Sequence, residues 1–68
     1  MKQTLRDRAF RTILHSRFVA REEDLGHELT DEEVREEASY LLETIPYGGA
    51  YEGAELRKAK RQLNALLK

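Results

Sequence analysis

Thr44-Ile45-Pro46-Tyr47-Gly48-Gly49-Ala50-Tyr51-Glu52-Gly53 is the stretch on which the fold turns. It holds the only proline of the chain, three of its four glycines and two of its three tyrosines. A proline biases the residue before it away from helical angles, so a helix end is expected at about Thr44 or Ile45. Gly48 and Gly49 can take the left-handed conformations that a chain reversal needs. On both sides the apolar residues recur at helical spacing, which makes this segment a loop between two helices.

Upstream, Thr30-Asp31-Glu32-Glu33 is a capping box with acids throughout the first turn, where the helix dipole favours them. Leu29 and Val34 are spaced for a hydrophobic staple across that start. Val34, Ala38, Leu41, Leu42 and Ile45 then fall within one narrow arc, predicting a helix over residues 30–45. Downstream, Leu56, Ala59, Leu63, Leu66 and Leu67 share one face of a helix over residues 54–67, opposite Arg57, Arg61, Asn64 and Lys68.

At the N-terminal end, Thr4-Leu5-Arg6-Asp7 resembles another capping box. Leu5, Ala9 and Ile13 make one apolar ridge, and Phe10, Leu14 and Phe18 make a second beside it. The pattern predicts a helix over residues 4–24, stopped by a left-handed Gly26. Its charges oppose the dipole, with Arg6 and Arg8 near the start and Glu22, Glu23 and Asp24 near the end. Fraying before Glu22 is the expected relief. No alternation of strand period is present. The expectation is an all-α protein, a small three-helix bundle with a Gly/Tyr-rich loop between helices 2 and 3, forming one helical domain over residues 1–68.

Sixty-eight residues bury little surface on folding, so such a domain is marginal unless helped by a metal, a disulfide or association. There are no cysteines, which removes disulfides and zinc–thiolate sites and suits a reducing compartment. No run approaches the ~18 apolar residues of a membrane span, and Met1-Lys2-Gln3-Thr4 lacks the apolar core of a signal peptide. A cytoplasmic protein is expected.

The net charge of −1 conceals segregation: residues 1–21 carry +5, residues 22–53 carry −10 and residues 54–68 carry +4. The order favours a compact antiparallel arrangement, and it also steers the molecule toward a charged partner. Seven acids between Glu22 and Glu33 lack the spacing and central glycine of an EF-hand. His15, His27 and Glu28 lack paired-histidine metal spacing. Ser16 and Ser39 stand in no nucleophile-elbow context, and the glycines are followed by no Gly-Lys-Ser/Thr. No catalytic residue, cofactor or metal ligand is therefore assigned, and a non-enzyme is expected.

What remains is association. Tyr40 lies on the polar side of its helix and Tyr47 and Tyr51 lie in or beside the loop; tyrosine is enriched among residues that dominate binding energy. Tyr40, Tyr47, Tyr51, Gly48 and Gly49 are the candidate surface for a protein partner, with the module acting as a regulator or adaptor. The two loop tyrosines have a structural alternative, capping the open end of the bundle. Arg8, Arg11, Arg57, Arg61 and Lys68 are the candidate surface for nucleic acid, an alternative that requires the two basic ridges to form one surface. A helix-turn-helix is disfavoured because the turn is too long and helix 2 too acidic. A homodimer or other homo-oligomer completing its leucine faces between copies is a third alternative.

Overall fold

In the computed structural model, which describes residues 3–68, the chain is all-helical, with four helices where three were expected. They are α1 (Leu5–Ala9), α2 (His15–Leu25), α3 (Asp31–Gly48) and α4 (Gly53–Leu67). The long helix expected over residues 4–24 is broken at residues 10–14. Thr12 is the local cause. Its buried hydroxyl donates to the Ala9 carbonyl at 2.7 Å and accepts from the Leu14 amide at 3.2 Å, competing with the helical ladder. The Ile13 amide, freed from that ladder, donates to Gln62 Oε1 of α4 at 2.9 Å.

The break also relieves part of the charge misplacement, while Glu23 and Asp24 remain in the last turn of α2. Arg6 and Arg8 become last-turn residues of the short α1, where cations suit the dipole. Arg6 and Glu22 are sixteen positions apart in sequence, about 24 Å along an unbroken helix. Folding back at residues 10–14 brings them into a two-pronged ion pair, with Arg6 Nη2 to Glu22 Oε1 at 3.1 Å and Nε on Oε2. Glu22 Oε2 also accepts from the Leu29 amide at 3.0 Å, tying α2 to the start of α3. Fraying is not the outcome: α2 runs to Leu25 and ends on Gly26 at φ +76°.

The expected start of α3 is present in detail. Thr30 accepts from the Glu33 amide, the Glu33 carboxylate accepts from the Thr30 amide, and Leu29 and Val34 are both buried. Its end is later than Pro46 led us to expect. The helix continues through Pro46 to Gly48 and stops on Gly49 at φ +73°. Proline forfeits the bond to the Leu42 carbonyl. Ile45 is buried in the core just before it, and that packing holds the last turn in place. The connection to α4 shrinks to four residues, Gly49–Glu52.

Leu5, Ala9, Leu14 and Phe18 from α1, α2 and their junction meet Val34, Ala38, Leu41 and Ile45 of α3 and Ala59, Leu63 and Leu66 of α4 in one core. The α3–α4 hairpin is the most extensive helix pair, and α1 lies across both of its members. Among the described residues no helix is long and apolar enough to cross a membrane.

Candidate interaction surface

The extension of α3 past Pro46 changes what its outer face presents. Tyr47 no longer belongs to a loop; it follows Tyr40 by seven residues on the same helix, within about 20° of it around the axis. Glu36, Tyr40, Glu43 and Tyr47 therefore form a continuous exposed stripe, carboxylate and ring by turns. Among the described residues the exposed large hydrophobic side chains are Tyr40, 60% accessible, and Tyr47, 88% accessible. So much open surface on Tyr47 removes the idea that it caps the bundle. Tyr51 differs: it is half-buried and packs against the core, so the capping role suits it alone of the two.

Beside the stripe a groove of about 720 Å³ runs between α2 and α3. Arg17, Arg21 and Asp24 form the α2 wall, and Glu33, Glu36 and Glu37 form the acidic wall on α3. Tyr40, Thr44, Gly48 and Tyr51 close the far end. Three of the five expected partner-binding residues, Tyr40, Tyr51 and Gly48, thus meet in one concavity, while Tyr47 stands on the stripe. Gly49 is accounted for by its left-handed cap, whereas Gly48 is helical and adopts no left-handed angle.

Electrostatics sharpen the acidic wall. The Glu37 side chain is only 14% accessible, and its nearest cation, Arg21 Nε, stands 3.6 Å away, beyond hydrogen-bond length. Burial pushes the Glu37 carboxyl above the ordinary carboxylate value, against the opposing pull of Arg21 and Arg17. Glu33 is held below that value, chiefly by the hydrogen bond from the Thr30 amide. His27 Nε2 lies 3.0 Å from Glu33 Oε2 and His15 Nδ1 3.3 Å from the Thr12 carbonyl, so the two histidines serve separate local contacts.

The basic candidates occupy the other side. Arg8 Nη2 donates to the Ala65 carbonyl at 3.1 Å, in the last turn of α4. Ala65 stands between Arg61 and Lys68 on one side of α4, so the end of α1 joins the exposed ridge of Arg57, Arg61 and Lys68. Arg8 and Arg11 share a shallow pocket of about 240 Å³ with Gln62 and Ala65. The four-residue turn between α3 and α4 also falls within helix-turn-helix range, so its length no longer counts against that motif. The acidity of α3 still does.

The local preference of Pro46 hides the tyrosine register in the sequence, because by itself it ends the helix before Tyr47. The Arg6–Glu22 tie has its sequence signal in the misplaced charges of residues 4–24. No family model, curated protein or solved structure matches the chain.

Proposed function

We propose that this chain is a small non-enzymatic protein-interaction module, a regulator or adaptor, that binds a protein partner through the outer side of α3 and the α2–α3 groove. The observation that carries the reading is the pair of exposed tyrosines in helical register, Tyr40 and Tyr47, which leave most of their surface in water. A contiguous apolar patch left in water marks an interaction site, and tyrosine is enriched among the residues that dominate binding energy. The cytoplasmic setting expected from a cysteine-free sequence belongs to the same proposal. A second reading, nucleic-acid binding through Arg8, Arg11, Arg57, Arg61 and Lys68, draws on the Arg8–Ala65 contact that joins the two ridges.

One affinity experiment from native lysate, analysed for protein and nucleic acid, tests both. The Tyr40→Ala/Tyr47→Ala variant is expected to keep the wild-type melting temperature and lose the captured protein. Capture of the same proteins by wild type and variant would sink the tyrosine surface. Nucleic acid in the eluate, removed steeply by salt, would move the assignment to the basic face.

A further inference from the structure

The α3 stripe alternates carboxylate and aromatic ring over about three helical turns. Glu36, Tyr40, Glu43 and Tyr47 follow one another at intervals of four, three and four residues, about 16 Å from end to end. Carboxylates attract arginine and lysine directly, and tyrosine faces attract the same cations through their quadrupoles. The chain itself carries a ridge of three cations and one asparagine. Arg57, Arg61 and Asn64 on α4 and Lys68 at its C-terminal cap are all exposed, and they follow the same sequence intervals of four, three and four residues. Within one molecule the stripe and this ridge lie on the outer sides of different helices, so they face away from the shared core.

We infer that α4 of a second copy of this chain docks on the α3 stripe, its Arg57-Arg61-Asn64-Lys68 ridge laid against Glu36, Tyr40, Glu43 and Tyr47. The inference rests on the reading of that stripe as an interaction surface and names its occupant. Three observations favour a second copy. The intervals match and read the same in both directions, so the antiparallel alignment preferred by helix dipoles keeps the register. In that alignment Glu43 meets Arg61 and Tyr47 meets Arg57. The formal net charge of −1 leaves almost no overall repulsion between copies, while the opposite-signed faces attract. The core leucines Leu63 and Leu66 are already buried within one chain, so association runs through the charged faces.

Because the contact joins two different surfaces, each copy can give its α4 ridge to one neighbour and take another's on its stripe. This makes complementation the decisive test. Sedimentation equilibrium of the wild-type chain, from about 10 µM to about 1 mM in low salt, should show mass rising with concentration and falling back to monomer at about 1 M salt. Glu36→Lys/Glu43→Lys and Arg57→Glu/Arg61→Glu should each weaken association on the order of tenfold or more by setting like charges together. Mixed one to one, they should associate again, since the intact ridge of the first variant meets the intact stripe of the second. A wild-type chain that stays monomeric throughout, or a mixture that fails to recover, overturns the second copy as occupant.

Titrating the folded Arg57→Glu/Arg61→Glu variant with a synthetic arginine-bearing helical peptide separates the two levels of the argument. Binding that is lost on adding Tyr40→Ala/Tyr47→Ala upholds the stripe even where self-association fails. No binding to a chain that is also monomeric removes both.

Discussion

Replacing Pro46 by alanine tests the feature on which the candidate surface depends. Pro46 lies two residues before the last residue of an 18-residue helix, where its missing amide leaves the Leu42 carbonyl without its helical donor. A proline in a helix interior costs about 3 kcal/mol relative to alanine. Near a terminus the ladder lost is shorter, and proline recovers about 0.4–1 kcal/mol by restricting the unfolded chain. Pro46→Ala should therefore stabilise the protein by about 2 kcal/mol. At about 4–8 °C per kcal/mol for a domain of this size, the melting temperature rises by roughly 8–16 °C. Thermal denaturation followed by far-ultraviolet circular dichroism reads the shift, and urea unfolding supplies the free energy. An unchanged or lower melting temperature would refute the reasoning: the chain would then leave the helix at Pro46, and Tyr47 would not share a face with Tyr40.

The adjoining glycines should respond oppositely. Gly49→Ala, at φ +73°, should cost about 1 kcal/mol because an L-residue is strained there. Gly48→Ala, in the helix with open space around its added Cβ, should stabilise by about 0.5–1 kcal/mol; equal effects at the two positions in urea unfolding would displace the helix end from Gly49. The Arg6–Glu22 pair predicts a pH dependence. The hydrogen bonds from Arg6 and the Leu29 amide hold the Glu22 carboxyl below the ordinary range, so its contribution is complete above that range and disappears as pH falls through the lowered value. The melting-temperature gap between wild type and Glu22→Gln should narrow as pH drops from about 5 to below the ordinary glutamate value of about 4.3. A constant gap over that range would remove the pairing as its cause.

How much was legible in the sequence differs from element to element. The start of α3 could be read because Leu29, Thr30, Glu33 and Val34 lie within six residues and its capping hydrogen bonds run between Thr30 and Glu33. The stop at Gly26 and the apolar faces of α3 and α4 were legible for the same reason, since capping and periodicity are local. The break after α1 was not. Thr12 and Ile13 are only modestly poor helix formers, and the bonds that hold the break open come from Gln62 and from the pairing of Arg6 with Glu22.

The candidate site divides along the same line. Tyr40 was placed correctly on an exposed helical face by periodicity alone. The local rule for proline by itself puts Tyr47 in a loop, whereas in the fold Ile45 is buried and α3 runs one turn further. That extra turn brings Tyr47 into line with Tyr40 and shortens the connection to α4.

By itself, then, the sequence determined an all-helical chain, its caps, its apolar faces and the segregation of its charges. Caps and helical periodicity are set by residues a turn apart, and the order of the charges is read directly along the chain. The tertiary structure decided the number of helices, the fate of Pro46 and which tyrosines face water. Each of those is a contest in which a local preference of a few kcal/mol is overruled by burial and long-range hydrogen bonds available only after the chain has folded back on itself.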